Sequence, residues 1–327
     1  MFKTPSIAMR VVAVAFSMLL AGPAATQQTY PSKPIRLIVP YAPGSALDVL
    51  ARLTAQKLTE SLGQPVIVDN RPGGNTVIGS EALVKSPPDG HTLILVVNTH
   101  SIIPNLLPNL PYDPVTDFAP VATVTSTELV LITHPSVAAN NLREFVAIAK
   151  TRPGQLNYAS GGSGTITHLA AELFSSMTGV KMNHIPYKGA GPALTDLVGG
   201  QVQLFMTVPL VTIPLINSGK LKGIAVTGQS RLTAVPQMPT FSEAGLAGFD
   251  LRVWFGYLAP AGTPKAIVEK LSAEFAKLMA LPAFREELAK QGMDPFVSSP
   301  DQFAALIKAD LNKYARVIRA ANIKLEN

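Results

Sequence analysis

A chain of 327 residues exceeds the size at which one hydrophobic core usually stays undivided, so we expect two domains. It contains no cysteine, which excludes disulfides, thiolate nucleophiles and thiolate metal ligands. The formal net charge of +6 comes from scattered lysines and arginines, so the composition indicates no nucleic-acid partner and favours at most anionic small molecules.

The N-terminal segment has the features of a secretory signal. Lys3 and Arg10 precede the short apolar run 11–20, and small residues follow it. That run is too short for a helix that spans a bilayer. We expect cleavage near Ala24 or Ala25 and a mature protein in the periplasm, a compartment that suits an exported chain without cysteines.

Short apolar runs alternate with helical patterns along the chain. Strands are predicted at 35–39, 65–69, 92–97, 155–159, 182–187, 201–208, 221–228 and 253–260. Helices are predicted at 46–62, 76–85, 141–151, 166–178, 190–198, 211–218, 264–280, 282–290 and 300–320. Apolar strands separated by helices predict an α/β fold whose parallel sheets are covered on both faces.

Two extended segments, 121–135 and 238–260, are suited to bridging two lobes. They predict a discontinuous lobe 1, residues 26–127 plus 249–327, and a continuous lobe 2, residues 128–248. Residues 1–25 form the predicted signal peptide.

Two segments share the order strand, Gly/Ser-rich loop, helix: RLIVPYAPGSALDVLARLTAQKL (36–58) and NYASGGSGTITHLAAELF (157–174). Ser45 and Asp48 have the spacing of a helix-capping pair, and Thr165 or Thr167 is suited to cap the second helix. The first N–H groups of a helix lack intrahelical partners and carry a partial positive charge. Each helix end can therefore bind a carboxylate or phosphate without a charged side chain.

The second loop does not complete a catalytic motif. A nucleophile elbow needs glycine where Thr165 follows Ser163-Gly164, and the P-loop and dinucleotide patterns also fail. His168, five residues after Ser163, falls inside the predicted helix. The five histidines show no metal-ligand spacing, so neither a metal nor a cofactor is expected.

Two further segments carry candidate ligand contacts. Tyr187 and Lys188 begin a third loop that leads into a helix; the alternative is that Tyr187 packs at a strand end while Lys188 lies in solvent. Asn98 ends a predicted strand and either faces the cleft or belongs to an ordinary turn.

Four stretches resemble the Bug family, the periplasmic solute-binding proteins of tripartite tricarboxylate transporters. They are residues 30–52, 110–121, 157–174 and 184–202. The resemblance implies a two-lobed Venus flytrap that closes on a ligand, with main-chain groups of the two loops holding a carboxylate. Carried over residue by residue, it points to Tyr41, Ala42, Pro43, Gly44, Ser45, Ala46, Ser160, Gly161, Ser163, Gly164 and Thr165, with His168 steadying the loop and Tyr187 and Lys188 bordering the cleft.

Two departures from the family pattern bear on the ligand. Ser45 stands where members often have a second glycine, and the stretch 201–210 lacks an acidic residue that relatives frequently carry. Gln203, Met206 and Thr207 make that wall less negative, which argues against an amino-acid ligand, since its ammonium group requires a carboxylate partner. An aliphatic or aromatic mono- or dicarboxylate fits better.

These observations predict a monomeric binding protein, not an enzyme, that delivers a small carboxylate to inner-membrane transporter subunits. Two alternatives stay open. One is a secreted serine hydrolase of the α/β class, with a base beside Ser160 or Ser163. The other is a ligand-sensing partner of a membrane signalling protein.

Overall fold

The computed structural model describes residues 30–320 and 322–324. The predicted signal peptide lies outside this range and stays a prediction. None of the helices within the range is long and apolar enough to cross a membrane. Two β-sheets, each with helices packed on it, make up the described chain, which confirms the predicted α/β architecture.

Most helices begin and end within two residues of their predicted bounds. The first seven are α1 (Ala46–Leu62), α2 (Val77–Val84), α3 (Thr99–Ile102), α4 (Leu142–Thr151), α5 (Ile166–Thr178), α6 (Ala190–Val198) and α7 (Ile213–Asn217). The last three are α8 (Lys265–Ala280), α9 (Pro282–Lys290) and α10 (Pro300–Ala320). Only α3, a single turn after the third strand, was not predicted.

The first sheet takes strands from both ends of the described chain. They are β1 (Ile35–Val39), β2 (Val66–Asn70), β3 (Thr92–Val97), β4 (Phe118–Glu128), β10 (Arg252–Pro260) and β11 (Asp294–Pro295), in the order β11–β4–β10–β3–β1–β2. β1 pairs in parallel with β2 and β3, whereas β10 runs antiparallel to β3 and β4.

The second sheet is formed by the middle of the chain. Its strands are β5 (Val130–Thr133), β6 (Asn157–Ser160), β7 (Asn183–Pro186), β8 (Leu204–Thr207) and β9 (Lys222–Val226), in the order β7–β6–β8–β5–β9. β6 is parallel to β7 and β8, but β5 is antiparallel to β8 and β9. The prediction of parallel sheets was therefore wrong. The strands that carry the chain from one sheet to the other enter against the direction of their neighbours.

The two sheets are joined where the chain crosses between them. Only Leu129 separates β4 from β5, and the return path runs from β9 to β10. Leu129 N–H donates to the Thr227 hydroxyl oxygen (2.9 Å), and Thr227 N–H donates to the Leu129 carbonyl (2.9 Å). The same hydroxyl donates to the Leu251 carbonyl (2.5 Å), so Thr227 ties both crossings together. The division into lobes at 127/128 and 248/249 stays a prediction. The assignment of the strands to the two sheets agrees with it.

Alternating side chains build a core on each face of the first sheet. Leu37 and Leu95 pack with Leu50 of α1 and Phe275 of α8. The intervening residues of β1 and β3 point to the opposite face, where α10 packs. Both strands are therefore covered on both sides, which explains their nearly continuous apolar sequence.

On the α10 side, Gly256 of β10 lies directly against the buried ring of Phe303. A Cβ placed at Gly256 would come within 2.4 Å of Phe303 Cζ. We expect Gly256→Ala to destabilise the protein by roughly 1–3 kcal/mol, because the rigid ring and the strand would have to move apart. Urea unfolding measures this change.

Gly199→Ala is the matched control, since a Cβ there meets its nearest neighbour at 3.4 Å and the backbone φ is −76°. It should leave stability unchanged or raise it slightly. Equal stability of the two variants would contradict the tight packing of α10 on β10.

Candidate functional site

The first predicted loop joins β1 to α1 and is held by its own side chains. Ser45 caps α1 through a hydrogen bond from Asp48 N–H to its hydroxyl oxygen (3.3 Å), as the sequence predicted. Gly44, with φ of +79°, donates its N–H to Asp48 Oδ2 (3.0 Å). Burial would raise the pKa of Asp48, but hydrogen bonds from Arg52, Gly44 and Asn70 outweigh it and lower the pKa. The amide of Gly44 is thus already bound to a carboxylate of the protein.

The second loop, between β6 and α5, is held in the same manner by neutral acceptors. Thr165 caps α5, and its hydroxyl oxygen accepts from His168 N–H. Gly161 N–H donates to the Thr167 hydroxyl (2.9 Å), and Gly162 N–H donates to the Ser160 hydroxyl (3.1 Å). Gly164 N–H donates to His168 Nδ1 (3.0 Å), the loop-steadying role that the family resemblance implied.

Two stacked histidines lie beneath this second loop. The rings of His168 and His184 are 4.1 Å apart between centroids and inclined by 11°. His184 Nε2 lies 2.6 Å from Ser160 Oγ, so the ring fixes the hydroxyl that receives Gly162 N–H. Burial lowers the pKa of His168 to about 4; burial and the neighbouring His168 lower that of His184 to about 3. Both rings are neutral at physiological pH, and only a neutral His168 can accept at Nδ1.

The Ser160–His184 pair resembles a nucleophile with its base but lacks the rest of a catalytic site. Ser160 is fully buried, and the buried His184 Nδ1 has no hydrogen-bond partner, so no acid orients the ring. Within the described chain, no group of acidic residues and histidines is arranged to hold a metal ion. The geometry gives the hydrolase alternative no support.

The first turns of α1 and α5 both line a small cavity of about 50 Å³, here called the inner cavity. Ala46 and Leu47 of α1 and Ile166 and Thr167 of α5 all line it. Their N–H groups are the first two of each helix and have no acceptor in the described part of the chain. Both positively polarised helix ends are therefore directed at one small space.

The remaining wall of the inner cavity is apolar and comes from both sheets. Val97, Val253 and Phe255 belong to the first sheet or its edge, and Phe205 and Val208 lie in or next to β8 of the second. Such a wall limits the access of water to the four free amides, and this strengthens any hydrogen bonds that they donate to an anion.

A second, larger cavity of about 210 Å³, the outer cavity, adjoins the inner one. The two share Tyr41, Gly161 and Thr165 in their linings. The outer cavity is also lined by the loop Gly73–Thr76, which the sequence reading missed. Asn75 and Thr76 adopt positive φ values of 55° and 75° there, a costly conformation for a β-branched residue such as Thr76. The dipeptide Gly73-Gly74 followed by Asn75 was the turn signal that could have drawn attention to it.

Nine of the sixteen predicted ligand residues line these cavities. They are Tyr41, Ser45, Ala46, Gly161, Ser163, Thr165, Tyr187, Lys188 and Thr207. Their contact with a ligand stays a prediction. Six others lie in the two loops or in the elements next to them but do not line either cavity: Ala42, Pro43, Gly44, Ser160, Gly164 and His168. The amides of Gly44 and Gly164 and the hydroxyl of Ser160 are occupied within the protein.

The structure argues against Asn98 as a ligand residue. It is buried, and its amide nitrogen donates to the Tyr314 hydroxyl (2.8 Å) and to Asp310 (3.2 Å) of α10. Its amide oxygen accepts from Trp254 N–H (3.0 Å). Asn98 therefore joins the end of β3 to β10 and α10 instead of facing the cleft.

Comparisons with known proteins all point to the same family. The sequence matches the tripartite tricarboxylate transporter family receptor, TctC, over residues 50–323. Protein BugT of Bordetella pertussis is 38% identical over 300 residues, which cover 91% of this chain and 92% of that protein.

Solved structures agree with the sequence match. Rpa4515 of R. palustris, determined with adipate, superimposes with a TM-score of 0.88 at 32% identity, covering 90% of this chain and 99% of that one. MatC from Rhodopseudomonas palustris, with bound malate, gives 0.84 at 31% identity, covering 88% and 100%.

The low pKa of His168 has a consequence for stability. The unfolded ring takes up a proton near pH 6.5, whereas the folded ring resists until about pH 4. Stability should therefore fall as the pH drops through this window. Between pH 7 and pH 5, we expect the free energy of unfolding of the wild type to fall by on the order of 2 kcal/mol more than that of His168→Asn. Urea unfolding at the two pH values measures this difference.

His134→Asn is the control, because its ring hydrogen-bonds Ser136 away from the loop. It should keep the wild-type difference between the two pH values. If His168→Asn also kept that difference, the folded ring would be taking up its proton as readily as the unfolded one.

Proposed function

Because the chain belongs to the tripartite tricarboxylate transporter receptor family, we propose that it is an exported receptor that binds a small organic carboxylate in the inner cavity and delivers it to membrane subunits of such a transporter. The resemblance based on four sequence motifs is confirmed by the family match and by BugT. The periplasm is the compartment that this role requires. Binding and delivery need no chemical step, and no enzymatic activity is proposed.

The observation that carries this proposal is the convergence of two helix N-termini on one small cavity. Four residues whose N–H groups have no acceptor in the described chain, two from α1 and two from α5, line this cavity, and its other walls are mostly apolar. A carboxylate has two oxygens with about four lone-pair directions, so one such group can accept from both helices at once. Hydrogen bonds to an ionised acceptor are about twice as strong as neutral ones.

The chemistry of the walls narrows the ligand class. Neither cavity is lined by an aspartate or glutamate of the described chain, so an ammonium group would lie there without a counter-charge. Rpa4515 and MatC were determined with adipate and malate, both carboxylates without an amine. We infer a ligand of the same kind, a carboxylate that carries no amino group.

Closure of the two predicted lobes accounts for affinity. The inner cavity lies between elements of both sheets, and Thr227 hydrogen-bonds both chain crossings that join them. We propose that the lobes separate to admit the ligand and close to exclude water. Closure strengthens the amide–carboxylate hydrogen bonds because it removes competing water.

A thermal-shift screen tests the ligand class. A true carboxylate ligand at about 100 times its Kd should stabilise the protein by roughly 2.7 kcal/mol and raise the midpoint by several degrees. The primary amides of the same acids should give no shift, since they lack the charge that the helix ends attract. Equal shifts with acids and amides would contradict the proposal.

Substitution of Ala46 by proline tests the backbone contact itself. Ala46 is the first residue of α1, where proline is tolerated, and Ser45 before it is extended at φ −71° and ψ 162°. Ala46→Pro removes one free N–H from the inner cavity while keeping the helix. We expect affinity for the best acid of the screen to fall roughly 10- to 100-fold by calorimetry.

Lys265→Pro provides the matched control, because Lys265 is the exposed first residue of α8 and lines neither cavity. Its affinity should equal that of the wild type. Ala46→Gly retains the N–H and should bind nearly as well. Undiminished binding by Ala46→Pro would remove α1 from the site.

A further inference from the structure

Lys188 is the one charged side chain that lines either cavity in the described chain. It lies in the loop between β7 and α6, exposed at the mouth of the outer cavity. No ion pair or hydrogen bond connects its ammonium group to any described residue. Its neighbour Tyr187 differs, because its hydroxyl donates to Asp196 Oδ2 (2.7 Å) and is not free for a ligand.

The loop that carries Lys188 is held against the first loop. Gly189 has φ of +122°, and a Cβ built on it would lie 3.5 Å from Ala42 N. The backbone of Gly189 therefore lies near the loop between β1 and α1, where an added Cβ would just be in van der Waals contact. This proximity of the two predicted lobes places Lys188 beside the outer cavity, which it helps to line.

The two cavities differ in what they can hold. A water-sized group needs roughly 10–15 Å³ of cavity volume. The inner cavity of about 50 Å³ therefore accommodates roughly three to five such groups, enough for one carboxylate and little more. The remainder of a longer ligand must extend past Tyr41, Gly161 and Thr165 into the outer cavity, which measures about 210 Å³.

The outer cavity offers polar donors in addition to Lys188. Ser163 N–H and the Asn75 side-chain amide have no acceptor in the described chain and belong to its lining. No aspartate or glutamate of the described chain lines the outer cavity, and Asp196 next to it accepts from the Tyr187 hydroxyl. A second anionic group of a ligand in the outer cavity would meet the positive charge of Lys188 and two uncharged donors, Ser163 N–H and the Asn75 amide.

We propose that Lys188 is a specificity-determining residue that pairs with a second anionic group of the ligand in the outer cavity. This inference rests on the proposed function, which places the first carboxylate between α1 and α5. The preferred ligand is then a dianionic acid long enough to place one charged group in each cavity. Monoanionic acids of equal length bind by the inner carboxylate alone.

The test compares linear dicarboxylates, from malonate to suberate, with their monomethyl half-esters, using calorimetry on the full mature protein. The half-ester keeps the length and one carboxylate but removes the second charge. For the best diacid of the series, we expect the wild type to bind about tenfold more tightly than its half-ester. Lys188→Gln should abolish most of this preference by weakening only the diacid, and Lys188→Arg should restore it.

Lys181→Gln is the matched control, since Lys181 is an exposed lysine of the same predicted lobe that lines neither cavity. It should retain the wild-type preference. An unchanged preference in Lys188→Gln, or equal weakening of diacid and half-ester, would overturn the role of Lys188 while leaving carboxylate binding intact. Absence of binding by every diacid and half-ester to the wild type would overturn the proposed function together with this inference.

Discussion

The unsatisfied backbone amides at the first turns of α1 and α5 are the constraint on which the site depends. A buried N–H without an acceptor costs free energy, so four such groups on residues that line one small cavity favour the binding of an acceptor there. Four glycine amides of the two loops do not share this property. Side chains of Asp48, Ser160, Thr167 and His168 accept from Gly44, Gly162, Gly161 and Gly164. These hydrogen bonds hold the two loops. The free donors of the inner cavity are those of the helix ends, and the free Ser163 N–H belongs to a residue of the outer cavity.

The two helix ends are not electrostatically equal. The first turn of α1 already contains the ionised Asp48, whose negative charge is balanced by Arg52 at 2.9 Å. The first turn of α5 contains only neutral acceptors, and burial keeps His168 and His184 uncharged. An anion near α1 therefore meets a carboxylate of the protein, whereas an anion near α5 meets none. The α5 end supplies more of the electrostatic attraction, and α1 acts chiefly as a donor of directed hydrogen bonds.

Much of the fold followed from the sequence because its signals are local. The bounds of α1 and α5 depend on a capping residue at one end, Ser45 or Thr165, and on an αL glycine at the other, Gly63 or Gly179. Strand direction was mispredicted because it depends on where the chain crosses between sheets, which periodicity within a strand does not reveal. The site was predicted in part for the same reason. The paired loops carry a local sequence pattern. Tertiary contacts instead decide that Gly44 N–H is bound to Asp48, that Asn98 is buried against β10 and α10, and that Asn75 lines the outer cavity.

Division of the site into two cavities separates the tasks of recognition. The inner cavity uses backbone groups, which any sequence that forms the two helix ends supplies, so side-chain changes alter it little. The outer cavity uses the side chains of Asn75 and Lys188 and the backbone of the loop 73–76, none of which belongs to α1 or α5. A receptor built in this way can continue to bind one carboxylate at the helix ends while its preference for the rest of the ligand changes. The strained φ values of Asn75 and Thr76 fit this view, because a fold tolerates such conformations where they hold donors at a ligand.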